Sequence, residues 1–267
     1  MQPLSREILE YYQRGGEHRR LTDGLGRLEF LRTWDVLSRV LPAAPARILD
    51  VGGATGVYAR PLADAGYTVH VVDPVPDHVT AAGAIGTVTA VLGDARSLPE
   101  PDASADAVLL LGPLYHLPGR DDRLTAWREA ARVVRPGGVV VGAVINRFAS
   151  LFDGVARGYL ADPEFVSLVD GALTDGVHGG SGNRWFTSAY FHHPDEPAVE
   201  AAAAGLREPR TVAVESAAHF TGAGLLNLLA DERQTAVLLG FLRRIEAEQS
   251  ALGASSHLLT IAYRATS

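Results

Sequence analysis

A glycine-rich turn offers one place where a ligand could approach the backbone. The apolar segment Ile48–Val51 runs into Gly52–Gly56, and a helical pattern follows. Glycine permits a close approach, and the N-terminus of a helix presents unpaired N–H donors to a carboxylate or phosphate. Asp50, just before the turn, would repel a pyrophosphate but could accept hydrogen bonds from a cationic amino group. Since Val51 stands where the dinucleotide fingerprint has its first glycine, the turn favours an amino-acid-bearing ligand over a dinucleotide.

Two more acidic residues follow the next two predicted strands. Asp73 comes directly after Thr68–Val72 and is placed to hold two ribose hydroxyls. Asp94 follows Val88–Leu92 and could accept a hydrogen bond from an adenine amino group. Other interpretations stay open: the glycine turn could be an ordinary strand-to-helix connection, Asp73 a helix cap and Asp94 a turn residue.

Two histidines are candidates for handling a proton. His116 lies just past the fourth predicted strand, at the edge of a parallel sheet that faces ligands. A neutral imidazole there could take a proton from a hydroxyl or an amine, or it could simply hydrogen-bond a loop carbonyl. His192, next to His193 in an aromatic segment, is the weaker candidate.

The same histidines raise the question of a metal ion. His192 and His193 could bind one together with His178, His219 or His257, but no ligand spacing is diagnostic. We therefore predict no metal. The surrounding aromatic cluster could pack in the core or line a substrate pocket.

The order of elements predicts an α/β fold. Seven apolar segments, several of them separated by helical ones, indicate a Rossmann-like, doubly wound, seven-stranded and mostly parallel sheet with helical lid insertions. The last two strands are expected to form an antiparallel edge. The predicted strands are Ile48–Val51, Thr68–Val72, Val88–Leu92, Ala107–Leu111, Val139–Ile145, Thr211–Glu215 and His257–Tyr263.

One domain of 267 residues accommodates this pattern. Residues 1–46 are predicted to be an N-terminal helical cover and residues 47–145 the cofactor-binding core. Two stretches, 146–197 and 221–253, are predicted to form the lid and substrate pocket. Residues 198–220 and 254–267 would complete the sheet.

Together, the three acidic positions resemble those of the class I S-adenosylmethionine-dependent methyltransferases of bacterial, small-molecule type. The resemblance covers roughly Leu41 to Ile145. The first motif of that family, an acid followed by alternating glycines, matches Asp50, Gly52 and Gly56, with Ala54 replacing the middle glycine. The resemblance implies a cofactor, S-adenosylmethionine, and a set of residues that bind it: Tyr12, Arg27, Asp50, Gly52, Gly53, Gly56, Asp73, Asp94, Ala95 and Leu111.

Composition narrows the range of partners. The formal charge of −7 argues against a nucleic-acid partner, since phosphate binding usually requires a basic field. The chain has no cysteine and no lysine, which excludes disulfides, thiolate chemistry and Schiff bases. No apolar run is long enough to span a bilayer, and the first twenty residues do not form a signal peptide, so we expect a cytoplasmic protein. Its oligomeric state is not encoded in any recognisable pattern.

These observations predict transfer of a methyl group from S-adenosylmethionine to an oxygen, nitrogen or carbon atom of a small molecule, a specialised metabolite by analogy. Such a reaction needs alignment and exclusion of water more than a catalytic triad. Two alternatives stay open: a nicotinamide-dependent oxidoreductase, and a protein that binds S-adenosylmethionine without catalysis.

Overall fold

The computed structural model describes residues 21, 24, 26–179 and 185–266. Tyr12, predicted to close over the cofactor, lies outside the described residues.

A seven-stranded sheet forms the centre of the molecule. The strands of the described chain are β1 (Arg47–Val51), β2 (Thr68–Asp73), β3 (Val88–Leu92), β4 (Ala105–Leu110), β5 (Val134–Ile145), β6 (Val177–His178), β7 (Ala189–Tyr190), β8 (Arg207–Ala213) and β9 (His257–Tyr263). The spatial order in the large sheet is β3-β2-β1-β4-β5-β9-β8, so the order reverses between β1 and β4. A second, two-stranded sheet pairs β6 with β7.

The predicted fold class is confirmed, including the antiparallel edge of the sheet. Strands β1 to β5 pair in parallel, as expected of a doubly wound fold. β9 pairs antiparallel with both β5 and β8. β8 therefore runs in the same direction as β5, and β9 alone is reversed among the seven. The last two strands thus form the expected antiparallel edge, with β9 inserted between β5 and β8.

Ten α-helices are found in the described part of the chain. They are α1 (Gly26–Val40), α2 (Ala59–Asp64), α3 (Pro76–Gly83), α4 (Arg120–Val133), α5 (Ala149–Arg157), α6 (Pro163–Asp175), α7 (Glu196–Ala203), α8 (Ala223–Leu229), α9 (Glu232–Ile245) and α10 (Gln249–Gly253). Among these helices none has both the length and the apolarity needed to cross a membrane.

The two faces of the sheet carry separate cores because side chains alternate along each strand. Leu49 of β1 and Leu110 of β4 pack with Trp127 of α4 on one face. Ile48 and Leu109, one position away, pack on the other face with side chains of α1, α2 and α3. Helices thus cover both faces, which explains why the central strands are apolar nearly throughout.

The long segment between β5 and α7 has regular structure in its described part, although its sequence shows no alternation of strands and helices. It contains two helices, α5 and α6, and the paired strands β6 and β7. Asp162 caps α6 by accepting a hydrogen bond from the Glu164 N–H, and Pro163 takes the first helical position. Phe165 and Val169, at helical spacing in α6, are buried. The aromatic residues and glycines of this segment obscured a helical pattern that a capping analysis would have found.

The apolar spacing of Gly224–Ala251 predicts one continuous helix, and this prediction is wrong in its continuity. The structure divides it into α8, α9 and α10. The break before α9 has a local cause: Asp231 adopts an extended backbone and its side chain accepts a hydrogen bond from the Gln234 N–H. An N-cap of this kind starts a new helix rather than continuing an old one.

Candidate active site

A pocket opens at the carboxyl end of the sheet, where the strand order reverses. The ends of β1, β2 and β4 surround it, which is where open α/β sheets bind ligands. Its volume is about 850 Å³, including the part open to solvent. Seven of the residues singled out in the sequence line it: Asp50, Gly52, Gly53, Asp73, Ala95, Leu111 and His116.

Asp50 is a buried carboxylate that faces this pocket. The residue is 0% exposed, and neither of its oxygens has a hydrogen-bond partner among the described residues. Burial and the nearby charge of Asp73 raise the pKa of Asp50 to about 7. A buried carboxylate without a donor is costly, so this side chain is set up to receive one from a ligand.

Two glycines leave space for a ligand at the turn after β1, while a third lies in the same turn but outside the lining of the pocket. Gly52 has φ +70°, and a Cβ there would lie 2.9 Å from Cδ of Pro113. A Cβ on Gly53 would lie 2.6 Å from Oδ2 of Asp50, so glycine leaves room for that carboxylate. Gly56 has φ +88° but does not line the pocket, since its α-carbon abuts Ile85.

Ala54 and Asp73 connect the glycine turn to β2. Ala54 stands where the resembled family has a glycine, and it adopts φ +48°. This left-handed conformation costs an alanine about 1–2 kcal/mol. The Ala54 N–H donates to Oδ2 of Asp73 at 2.9 Å, while Oδ1 accepts from the Val75 N–H at 2.9 Å.

His78 also binds Asp73, and sequence analysis missed it. Its Nδ1 lies 3.0 Å from Oδ1 of Asp73, and its side chain lines the pocket. A carboxylate offers about four acceptor positions. The His78 ring and the N–H groups of Ala54 and Val75 occupy three of those on Asp73. Asp73 therefore keeps room for one ribose hydroxyl, and a second would have to displace one of the present donors. The signal was available: His78 lies on the first turn of a helix that begins with Pro76.

Asp94, predicted to accept a hydrogen bond from an adenine amino group, is not among the residues that line the pocket. Arg96 holds both carboxylate oxygens, with Nε 2.9 Å from Oδ1 and Nη2 2.6 Å from Oδ2. Burial alone would raise the pKa of Asp94, but the hydrogen bonds from Arg96 lower it. The acid thus fixes the turn after β3, and its neighbour Ala95 is the residue that lines the pocket.

His116 lies on a 3₁₀ turn, Leu114–His116, directly after β4, and lines the pocket. It is 7% exposed, and burial lowers the pKa of its imidazole to about 3. The ring is therefore neutral at physiological pH. The ring of Tyr115, which also lines the pocket, lies 4.5 Å from it, and the ring of Phe186, outside the lining, packs on it at 6.0 Å.

His192, the second predicted proton acceptor, does not line the pocket. It is fully buried, with Nε2 3.5 Å from Oε2 of Glu200. Glu200 in turn receives two hydrogen bonds from Arg123, at 3.0 Å and 2.8 Å. The backbone of His192 is bound too, since its N–H donates to the Ile145 carbonyl. Two adjacent histidines on an extended chain point in opposite directions, and this one points into the core.

The N-terminal side of the pocket is only partly as predicted. Arg27 is exposed on α1 and does not line the pocket. Leu21 and Tyr58 do line it, and Tyr58 stacks on Phe30 of α1 with ring centroids 5.4 Å apart. Helix α1 therefore covers one side of the pocket through an aromatic contact.

Comparison with known proteins decides which family of α/β proteins this pocket belongs to. Residues 49–142, from β1 through most of β5, match the family profile described as "Methyltransferase domain". This part of the chain is similar to methyltransferase domains. The match supports the predicted resemblance to the class I S-adenosylmethionine-dependent family and, with it, the predicted cofactor.

Relatives of the domain are similar over the same part of the chain. An uncharacterized methyltransferase of Mycobacterium bovis is 37% identical over 105 residues, which cover 39% of this chain and 42% of the relative. The 27-O-demethylrifamycin SV methyltransferase of Amycolatopsis mediterranei is 38% identical over 116 residues, covering 40% of this chain and 42% of that protein. The matched segment thus spans less than half the length of these relatives.

A solved structure extends the likeness of fold to nearly the whole chain. A methyltransferase of Thermotoga maritima, described as a possible histamine N-methyltransferase, superposes with a TM-score of 0.62 at 18% identity. The superposition covers 96% of this chain and 99% of that one.

The residues of the methyltransferase domain fit S-adenosylmethionine. The Asp50 carboxylate matches its cationic amino group, and the Gly52–Gly53 backbone leaves space that a Cβ would fill. Asp73 has an acceptor position for a ribose hydroxyl. This donor and acceptor set suits an amino acid joined to a nucleoside, and the acid at Asp50 disfavours a pyrophosphate.

Proposed function

We propose that this chain transfers a methyl group from S-adenosylmethionine to a small-molecule acceptor. The observation that carries the proposal is the buried carboxylate of Asp50, which faces the pocket and has no partner among the described residues. Asp50 would bind the amino group, the Gly52–Gly53 turn would lie along the amino-acid part, and Asp73 would hold the ribose. Ala95 and Leu111 offer apolar contacts beside the third and fourth strands.

When bound, S-adenosylmethionine supplies an electrophilic methyl group on its sulfonium sulfur. The protein then has to place a nucleophile in line with that methyl group and keep water away. The aromatic rings of Tyr115 and His116, which line the pocket, support an acceptor with an apolar or aromatic body on this side. Phe186 of the segment 146–197 packs on His116, so this segment contacts a residue of the pocket.

His116 is better suited to orienting the acceptor than to storing its proton. An imidazole whose pKa is about 3 binds a proton weakly at neutral pH, because a general base works best when its pKa lies near the operating pH. It can still accept a hydrogen bond from the hydroxyl or N–H of an acceptor. We propose this role for His116, with the proton leaving to solvent.

Calorimetric titration tests the cofactor site directly. We expect micromolar binding of S-adenosylmethionine and none of NADH, and at least a tenfold weaker affinity in Asp73→Ala. Binding of NADH alone would favour the oxidoreductase alternative. Tight binding of S-adenosylmethionine without any methylated product across a broad panel of acceptors would favour a non-catalytic role.

Variants of His116 test the acceptor site, once an acceptor has been found. His116→Ala should lower kcat at least tenfold while the Kd of S-adenosylmethionine stays unchanged. His116→Gln keeps an acceptor atom and should recover part of the loss, which loss of packing alone would not predict. Full activity in His116→Ala would contradict the orienting role.

A further inference from the structure

A second group of chemically active side chains lies at the same edge of the sheet, beyond β5. Glu29 of α1, Glu215 just after β8 and His257 at the start of β9 meet there. Three elements that are distant in sequence bring them together, and the pocket described above does not include them. Among the described residues, they are the one group of three or more potential metal ligands whose donor atoms converge.

The two carboxylates approach the same nitrogen. Oε1 of Glu215 lies 2.5 Å from Nδ1 of His257, and Oε2 of Glu29 lies 3.6 Å from that atom. One imidazole nitrogen carries at most one proton, so an ordinary hydrogen bond uses only one of these carboxylates. A metal ion can use both, because it accepts several ligands at once.

The distances suit a metal ion after a small adjustment. One ligand atom from each of the three residues lies within 4.8 Å of the others. Bonds of about 2.0–2.2 Å place two ligands of one Zn²⁺ ion roughly 3–4 Å apart. The Glu215–His257 contact would have to open by about half an ångström. One imidazole with two carboxylates is a set that Zn²⁺, Mn²⁺ and related ions accept.

Glu215 is already oriented by groups behind it. Its Oε2 accepts hydrogen bonds from the Ser255 hydroxyl at 2.9 Å and from the His257 N–H at 3.1 Å, which leaves Oε1 directed at the cluster. Outer contacts that orient a ligand in this way are typical of metal sites.

We propose that Glu29, Glu215 and His257 form a binding site for a divalent transition-metal ion. The site joins α1, the helix whose Phe30 stacks on Tyr58 at the cofactor pocket, to the β8–β9 edge of the sheet. It was not expected from the sequence, since residues 29, 215 and 257 have no diagnostic spacing. The proposal does not depend on methyl transfer.

Metal titration of the full chain tests the site. After treatment with EDTA and dialysis, Zn²⁺ is titrated calorimetrically, and Co²⁺ by its visible absorption, without S-adenosylmethionine present. We expect one equivalent to bind with micromolar Kd. Glu29→Gln, a conservative change on α1, should weaken binding at least about tenfold. Glu232→Gln, an exposed glutamate in the first turn of α9, is the matched control and should bind as wild type does.

Two results would overturn the proposal. The first is the absence of binding below millimolar Zn²⁺, which would leave Glu215 and His257 as a buried ion pair. The second is equal affinity in wild type and Glu29→Gln, which would place the ion elsewhere. Because Glu215→Gln could unfold the protein through the loss of its Ser255 contact, the test uses Glu29, and circular dichroism of each variant confirms its fold.

Discussion

Asp50 sets the electrostatics of the cofactor site. It is fully buried, with Asp73 nearby, so its proton leaves only near neutral pH. A cationic amino group beside it would favour the ionised form and reverse the effect of burial. Binding of the cofactor and ionisation of this one carboxyl are therefore coupled.

This coupling predicts a pH dependence of cofactor affinity. Because the pKa of Asp50 is raised to about 7 in the ligand-free protein, binding below that pH must first remove a proton. The Kd of S-adenosylmethionine should therefore fall about tenfold between pH 6 and pH 8, as calorimetry would measure. In Asp50→Asn the affinity should be at least tenfold weaker at pH 8 and nearly independent of pH.

An exposed aspartate provides the control for this experiment. Asp64→Asn, at the end of α2, keeps Asp50 intact and should show the wild-type pH profile. A flat profile in the wild type would mean that Asp50 does not meet the amino group.

The positions of Asp50 and Asp73 at the pocket were predicted correctly from the sequence. The prediction succeeded because the carboxyl ends of parallel strands meet at one edge of the sheet. Asp94 occupies an equivalent position, but Arg96, two residues later, captures its carboxylate. Which of two partners a side chain chooses depends on the local turn and on rotamers, and neither follows from the spacing of residues.

At the scale of elements, a buried charge cluster attaches α1 to the end of α9. Arg32 is 0% exposed and donates to Oε2 of Glu246 at 2.8 Å and to the Val214 carbonyl at 3.1 Å. Arg39 also binds both oxygens of Glu246. Burial alone would raise the pKa of Glu246, but the two arginines lower it below its ordinary value. The helix that covers the cofactor pocket is thus tied to the end of α9.

Removing one acid from this cluster should destabilise the protein. Glu246→Gln removes one of the two carboxylates that pair with the buried Arg32, while Asp35 stays as the other, so we expect a loss of about 1.5–3 kcal/mol. Urea unfolding followed by fluorescence would measure the loss. The exposed neighbour Glu248→Gln should change the free energy of unfolding by less than about 0.5 kcal/mol.

The contribution of Glu246 to the stability of the folded protein should be lost at low pH. The pKa of Glu246 is lower in the folded protein than in the unfolded chain, so its contribution is complete above the unfolded value and is lost as pH falls through the folded one. The difference in stability between wild type and Glu246→Gln should therefore shrink below about pH 4. A difference that stays constant down to pH 2 would contradict the ionic role of Glu246.

Elements with a strong local pattern were predicted well, and those fixed by tertiary contacts were not. The core strands β1 to β4 were found within two residues at each end. Helix α3 was missed, since Pro76–Gly83 is short and its small residues give little periodicity. β8 was placed several residues late because Arg207 and Glu208 make its start polar at the edge of the sheet.

At the scale of the whole molecule, the pocket exists only when three strand ends have come together. S-adenosylmethionine should therefore bind the folded state alone and raise the free energy of unfolding by about 2.7 kcal/mol at a hundred times its Kd. For a chain of this size the rise in Tm should be roughly 5–10 °C, measured by calorimetry. NADH at the same concentration should leave Tm unchanged, and an equal shift with both would point to nonspecific stabilisation.

The α/β class of the whole molecule followed from the alternation of strands and helices, but the position of β9 did not. Its apolar sequence suits any central strand. Its reversed direction depends on α8, α9 and α10, which return the chain to the carboxyl edge of the sheet. Packing determines connections of this kind, and here α1, α8 and α9 share a small core of Leu28, Leu225, Leu229 and Leu242.

The place of β9 between β5 and β8 also bears on the biosynthesis of the protein. β8 ends at Ala213 and β9 begins at His257, so during translation β8 leaves the ribosome well before the strand that will pair with it. Until then the nascent chain carries two open strand edges, on β5 and on β8, of the kind that aggregate. β8 is the more polar of the two, with Arg207, Glu208 and Arg210 along it. β5, apolar from Val139 to Ile145, is the edge that a ribosome-associated chaperone would have to shield.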